Sequence, residues 1–442
     1  MKFNEFKDAA FKEALSLGCE AAEVYFTEGE NFSVNIQDAE LDTYSVEHDF
    51  GLNLRVKVDG RDGSAYTEML DDPHTLVLKA MDNARAAEIT EEQPMQGPCE
   101  YQSVASPKSK ASDMSPEEKI AYAMELEKKL LAADERVKRT YYSGIQTHRH
   151  TVKLCNTLGL NAEYSGELTA AVAAPIMIED GAAQSGFSIK SGDEIFDTDA
   201  MVREGIGKAL EQFGASPVES GEYHAVIRRE AMRDILQAFF PMFSADMAQK
   251  GMSLLANKVG ETVAAECVTL IDDPLRSENP RAFDHEGVPS VTKRVIEKGV
   301  LTTLLHNLKT AKKAGVSSTS NAGRTPSGPV SVAPSNFYIE AGDMGYEDML
   351  KELYNGLVIF DVSGLHAGLN PVSGDFSLIA KGLLIENGSI IRSVDQITVA
   401  GNFMELLKDV ERVGSDIEFG IPFGGCVGSP SVMVKKLIVS GK

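Results

Sequence analysis

From about Val263 onward the chain is a succession of short β-type runs broken by Gly, Pro, Asn and Asp, and only two helical stretches, 346–354 and 403–411, interrupt them. That punctuation excludes the βαβα alternation that a doubly wound parallel sheet requires. The first half has a different texture. Phe3, Phe6, Ala10, Phe11, Ala14 and Leu15 recur at helical spacing, and Gly18 supplies a stop. Short β-rich runs follow at 24–26 and 32–36. Leu52, Leu54, Val56 and Val58 then alternate with Asn53, Arg55 and Lys57, as in a strand buried on one face, and Asp59-Gly60 offers hairpin chemistry at its end. A helix is expected over 73–87. A Pro- and Ser-rich loop over 93–114 leads to Ser115-Pro116-Glu117-Glu118, a capping box with Pro at the first helical position. The helix it opens runs to about Asp134. Strands are expected at 137–142, 151–155 and 168–178, with Glu179-Asp180-Gly181 as a hairpin, and a helix at 197–212. Pro217 to Gly221 reads as a hinge. A strand at 223–227 then leads into a helix that starts near Arg229 and carries Met232, Ile235, Leu236, Phe239 and Phe240 on its apolar side. The pattern predicts an α+β protein of two domains. Residues 1–218 form a mixed α/β domain, and residues 219–442 form a domain rich in short, mainly antiparallel strands.

The formal net charge of -23 on 442 residues opposes a nucleic-acid surface, which needs clustered Lys and Arg, and opposes docking on anionic lipid. The five cysteines, Cys19, Cys99, Cys155, Cys267 and Cys426, are scattered and show no CxxC spacing. That usage suits reduced thiols in the cytoplasm. The N-terminal residues carry acids and no long apolar run, so neither a signal peptide nor a membrane span is expected.

No recognised catalytic motif emerges from spacing. HExxH is absent, as are GxxxxGK[ST], GxGxxG and a Ser nucleophile elbow. Gly205-Ile206-Gly207 falls inside a helical pattern and reads as structural. His148-Arg149-His150 places two histidines on one face of a strand, where a metal could use them, although a solvated polar strand end is the plainer reading. Asp284-His285-Glu286 looks like a ligand cluster, but Pro280, Gly287 and Pro289 make it a tight turn. Gly424-Gly425-Cys426-Val427-Gly428 matches a Cys elbow by letters, yet a strand follows it where a helix is required.

Four segments of the second half nevertheless resemble one family. They are the loop from Arg281-Ala282-Phe283-Asp284-His285-Glu286-Gly287-Val288-Pro289, the run ending Ser320-Asn321-Ala322-Gly323-Arg324, the segment Asn370-Pro371-Val372-Ser373-Gly374-Asp375-Phe376-Ser377, and Ala400-Gly401-Asn402. Gly51 to Gly63 and Asn156-Thr157-Leu158-Gly159 agree more loosely. Their order and spacing resemble the TldD/PmbA family, whose older label is modulator of DNA gyrase. His285 departs from the family's middle acid in the first segment, and Ser320 replaces its usual Gly in the second. The TldD type carries a zinc helix motif H-E-x-x-x-H, and by the pattern ending at Val259-Gly260-Glu261 that motif falls on Leu236 to Pro241. Its two His positions are Leu236 and Pro241, and its general-base position is Gln237. Leu and Pro offer a metal no lone pair, and Gln cannot take a proton from zinc-bound water. Cys426 lacks the TldD type's C-G-K context.

The resemblance therefore implies the TldE/PmbA type: a non-catalytic, metal-free subunit with no cofactor of its own. Zinc is expected in a TldD-type partner of a heterodimer that acts on unfolded or short peptides, as in peptide maturation and antitoxin degradation. Cleft-facing groups are expected at Asp284, Glu286, Arg324, Asn370 and Asp375, although each also suits a tight turn. Two rival readings stand beside this one. One is a homodimeric peptide-binding scaffold. The other is a self-sufficient hydrolase with an unrecognised metal or Cys site near His148, His150 or Cys426.

Overall fold

The computed structural model describes residues 1–88, 93–105, 107–422 and 425–442. Its N-terminal part is built on one sheet of unusually long strands. Helix α1 (Phe3–Ser16) precedes β1 (Ala21–Gln37), β2 (Glu40–Val58) and β3 (Arg61–Thr67). Helices α2 (Pro73–Ala86) and α3 (Pro116–Ala133) follow, then β4 (Val137–Asn156), β5 (Asn161–Glu179), β6 (Ala182–Ser185), β7 (Ser188–Gly192) and α4 (Thr198–Leu210). The strand order is β3-β2-β1-β4-β5-β6, and β7 also pairs with β5. The runs at 24–26 and 32–36 are thus one strand, as are those at 137–142 and 151–155.

The even-numbered residues of β1 explain why that strand is long. Ala22, Val24 and Phe26 join a core with Phe6, Ala10 and Ala14 of α1 and Val77, Ala80 and Met81 of α2. Phe32, Val34 and Ile36, on the same face, join a second core with Ala123, Leu126 and Leu130 of α3 and Met201 of α4. One strand therefore carries two helix pairs side by side, because side chains two apart share a face. The helix starts follow their caps. Asp72 accepts from the Thr75 N–H at 3.0 Å, and Ser115 and Glu118 close the capping box. The hairpins turn on residue pairs with positive φ, among them Asp59-Gly60 at 49° and 72° and Asp180-Gly181 at 49° and 81°.

The C-terminal part begins with β8 (Gly221–Ile227), α5 (Arg229–Phe239) and α6 (Ala245–Gln249). Next come β9 (Leu270–Asp272), β10 (Lys293–Glu297), β11 (Val300–Leu301), α7 (Leu308–Ala314), β12 (Ala322–Gly323), β13 (Ser331–Val332) and β14 (Asn336–Ile339). The remainder is α8 (Tyr346–Leu353), β15 (Gly356–Ser363), β16 (Asp375–Glu386), β17 (Ser389–Asn402), α9 (Phe403–Lys408), β18 (Val410–Val413), β19 (Glu418–Phe419), β20 (Cys426–Ser429) and β21 (Val432–Ser440). The helix expected over 403–411 stops at Lys408 and gives way to a strand. Two sheets form, β17-β16-β15-β8-β21-β18 and β11-β10-β9-β14-β20-β19, and β12 pairs with β13 alone. Pairing is antiparallel except at β8–β15 and β14–β20. One core spans the two sheets and α5, α6 and α9, and within it the rings of Phe239 and Phe403 stack at 4.5 Å. The whole is an α+β architecture, and no helix among the described residues is long and apolar enough to cross a membrane.

C-terminal loops dock on the odd-numbered face of β1 through a buried charge network. Glu23 of β1 lies 3.4 Å from Arg55 Nη2 of β2 and 3.2 Å from Arg324 Nη2. The Arg324 guanidinium lies 4.1 Å over the Tyr25 ring, and Asn53 donates to the Pro326 carbonyl at 2.9 Å. Beside them, Asp284 folds its own loop. Its carboxylate accepts from the N–H groups of Glu286 (2.9 Å), Val288 (3.0 Å) and Ala322 (2.9 Å). Glu286 accepts the Leu308 N–H at 2.8 Å, and so holds the start of α7. His285 Nδ1 accepts the Arg324 N–H at 3.0 Å, which leaves its Nε2–H for the Tyr164 hydroxyl at 3.0 Å. Burial, reinforced by Arg281 and Arg324, pushes the imidazole down to about 3, so it sits there neutral.

Burial, with the Asp284 charge adding to it, pushes the Glu286 carboxyl up to about 8 from an ordinary 4.5. The folded chain therefore holds a proton that the unfolded chain releases as pH rises from about 4.5 to about 8, and stability falls across that window. Glu286→Gln keeps the acceptor for Leu308 and removes the titration. Thermal unfolding from pH 5 to 8.5 should show the variant gaining on the wild type as pH rises. Parallel pH profiles for the two proteins would remove Glu286 as the source of the slope.

Candidate functional site

The principal cleft lies where the two halves of the molecule meet, and α5 forms one wall. The helix is divided by its 3.6-residue period. Ala231, Met232, Ile235, Leu236 and Phe239 are buried in the C-terminal core, while Arg233, Asp234 and Gln237 line the cleft. Pro241 lies in a 3-10 turn over Phe240–Phe243, directly after the helix. Pro has no N–H to continue the helical ladder. The cleft has a volume of about 490 Å³. Phe187, Ile189 and Ser191, Phe360, Asp361 and Lys381, and Glu418 to Ile421 also line it. Two sheet ends thus border it, since β7 pairs only with β5 and β19 is the last strand of its sheet. The β6–β7 link is held tightly against α4. A Cβ on Gly186 would lie 2.1 Å from the Gly205 carbonyl and one on Gly205 3.1 Å from Pro175, so these two glycines serve packing, whereas Gly207 faces open space.

Charge in the cleft is mostly paired. Arg228 binds Glu230 (3.0 Å) and Glu211 (2.9 Å), and Lys208 binds Glu204 (2.8 Å). Glu418 holds Arg229 at 3.0 Å and Arg233 at 3.3 Å, and Arg233 also meets Asp234 at 3.0 Å. Asp361 is the exception. It lies opposite Lys381 in the β15–β16 ladder, yet the Lys381 ammonium donates to Gln212 at 2.8 Å instead. The Asp361 side chain is exposed on β15, and desolvation by the surrounding walls raises its carboxyl, with Lys381 and Arg228 opposing and Asp234 adding to the rise.

The residues expected from sequence fall in three places. Asp284, Glu286 and Arg324 lie together in the buried docking network, and Asn370 and Asp375 lie together in a turn before β16. In that turn the Gly374 N–H donates to the Asn370 carbonyl at 2.8 Å, and Asn402 donates to Asp375 at 3.0 Å, which holds the Asp375 carboxyl below its usual range. Neither group lines the cleft. Leu236 and Gln237 belong to α5 and Pro241 follows it, and of these only Gln237 lines the cleft. Spacing alone gave no sign of Asp361 or Lys381, because strands from distant parts of the chain bring them to α5.

The donor set does not fit a zinc ion. Leu236 is 1% exposed among apolar neighbours, and no group of three or more His, Cys, Asp or Glu side chains among the described residues could hold a metal. His148 and His150 stack at 5.2 Å on β4. Burial, with His148 adding to it, pushes His150 down to about 4. Cys426 is buried in β20, donates to the Gly420 carbonyl at 3.3 Å, and has its thiol pushed up to about 12 by burial. A neutral thiol of that kind is a poor nucleophile. Gly424, the first letter of the elbow-like run, lies outside the described residues.

Three family profiles match in order: the PmbA/TldA metallopeptidase domain 1 over residues 22–87, the central domain over 109–213 and the C-terminal domain over 220–441. The chain is similar to a candidate modulator of a DNA gyrase from Thermotoga maritima, with 32% identity and a TM-score of 0.89 over 99% of this chain and 100% of that one. It shares its fold with TldE from Thermococcus kodakarensis, at 22% identity and a TM-score of 0.88 over 99% and 100% of the two chains. It is 24% identical to metalloprotease PmbA of Escherichia coli O157:H7 over 90% of this chain and 88% of that protein. The match to a metalloprotease of Methanothermobacter thermautotrophicus, at 31% identity, spans 58% of each chain. With its C-terminal half matched by a single family profile and its whole length by a structural relative, the chain belongs to the PmbA/TldD family of metallopeptidase-like proteins.

Proposed function

We propose that this chain is the non-catalytic, metal-free subunit of a two-subunit cytoplasmic peptidase that acts on unfolded or short peptides. A TldD-type partner supplies the zinc, the activated water and the general base, and this chain supplies part of the wall that encloses the peptide. The observation that carries the reading is the orientation of α5. The positions that would hold a metal and a base carry a core Leu236, a cleft-facing Gln237 and a helix-ending Pro241. A carboxamide on the cleft wall can hold a peptide group by hydrogen bonds, but it cannot accept a proton from water. The similarity to metalloprotease PmbA of E. coli and the fold shared with TldE of T. kodakarensis support the family setting of this reading.

Elemental analysis of the purified chain should find no stoichiometric zinc. The chain alone should leave unfolded casein intact, and adding it to a TldD-type subunit should bring out chelator-sensitive cleavage. Stoichiometric metal, with cleavage by this chain alone, would overturn the reading. A second outcome bears on the Cys alternative. Iodoacetamide should alkylate exposed Cys267 in the native protein and leave buried Cys426 unmodified, as read by peptide mass mapping. Rapid labelling of Cys426 would count in favour of a nucleophile there.

A further inference from the structure

The cleft beside Gln237 has more acceptors than its own side chains use. Its guanidinium groups are already committed, Arg228 to Glu211 and Glu230, and Arg233 to Asp234 and Glu418. Lys208 is held by Glu204, and Lys381 donates to Gln212. Neither Asp361 nor the Gln237 side chain has a hydrogen-bond or ion-pair partner among the described residues. Arg233 engages only one oxygen of Asp234. What remains open to a ligand is therefore a carboxylate, a carboxylate oxygen and a carboxamide. An incoming anion would meet Asp361 and find the guanidinium groups occupied, whereas an incoming cation would complete the set.

The rim of the cleft adds a second requirement. Phe187, just before β7, and Ile189, on it, are 41% and 45% exposed and line the cleft. The outer edge of that strand has no strand partner among the described residues. An extended chain can add to such an edge through main-chain hydrogen bonds, and its side chains then alternate between faces. Apolar side chains would cover Phe187 and Ile189, and a long cationic one would reach Asp361.

We infer that this cleft takes an extended peptide segment and that Asp361, helped by Asp234 and Gln237, receives the ammonium or guanidinium group of a Lys or Arg side chain. The inference rests on the proposed peptide-handling role and names the side-chain class that role selects. Asp361 is exposed on β15 and open to a ligand, and the cleft walls desolvate its carboxyl enough to raise it, so a counter-charge there is favoured over an empty state. The net charge of -23 draws basic peptides toward the chain from a distance. Lys381, across the ladder from Asp361, and Arg228 are the cations that compete for it.

Fluorescence anisotropy on the isolated full chain tests this without a partner or a metal. The probe is a fluorescein-labelled octapeptide of Ala and Val with one central Lys, compared with the same peptide carrying norleucine or Glu in its place. The Lys peptide should bind about tenfold more tightly than the norleucine one, as a charge-assisted contact warrants. Asp361→Asn should bring the Lys peptide down to the norleucine level and leave the norleucine peptide unchanged. That variant is isosteric at a side chain without internal bonds, so the fold is retained. Lys381→Met should tighten the Lys peptide, and Asp361→Lys should turn the preference to Glu. Equal binding of the Lys and norleucine peptides, indifference to Asp361→Asn, or no binding by any of them would overturn the inference. N-acetyl-lysine amide competing as well as the octapeptide would overturn its peptide part. Zinc found in the chain would sink the subunit reading and leave this binding result standing.

Discussion

The geometry of the molecule depends on Glu23. Two guanidinium groups, one from the N-terminal sheet and one from a C-terminal loop, converge on this carboxylate at the seam between the halves. Removing three charges from water is costly, and their attraction offsets that cost only when all three are present. Arg55 Nε and Nη1 and Arg324 Nε find no acceptor among the described residues, so the network contributes less to stability than to orientation. Its specificity lies in direction. Arg324 meets Glu23 while its guanidinium lies over the Tyr25 ring, and that placement fixes where its loop sits on the N-terminal sheet.

Helix α5 shows how a binding wall and a core wall can share one element without compromise. The period of the helix sends Leu236 inward and Gln237 outward although they are adjacent. An imidazole at 236 would have to be desolvated among Ile235, Phe239 and their neighbours, whereas a leucine adds to the burial there. Leu236 therefore adds to the core while its neighbour Gln237 gives the cleft surface a polar, neutral group.

Much of the secondary structure was legible because local chemistry announced it. The Ser115 capping box and the Asp-Gly turns fall where the sequence placed them. The β1–β2 hairpin was missed, which split β1 into two runs and hid the first half of β2. Its turn residues are Asp38 and Ala39, at φ values of 56° and 59°, and an alanine gives no turn signal. The turn is held from elsewhere, by Glu127 of α3 accepting the Ala39 N–H at 2.9 Å. The cleft was illegible for a related reason. Its lining comes from β7, α5, β15, β16 and β19, and no spacing rule links residues so far apart. The Asp284 to Arg324 motifs were conspicuous in sequence because tight loops in a buried seam tolerate few residues.

The length of β1 has a consequence for how the chain comes to be folded. The profile segments 22–87 and 109–213 look like separate units, yet β1 from the first lies between β2 and β4, and β4 comes from the second. Neither stretch can complete a sheet by itself. The Glu23 to Asn156 pairing closes a loop of more than a hundred residues before it is rewarded by neighbouring ladder bonds. A ribosome that has released the first ninety residues has therefore released the three strands β3-β2-β1 with the β1 edge bare, and that edge must wait for β4. The period before β4 emerges is when this chain is most exposed to mispairing with a second copy of itself.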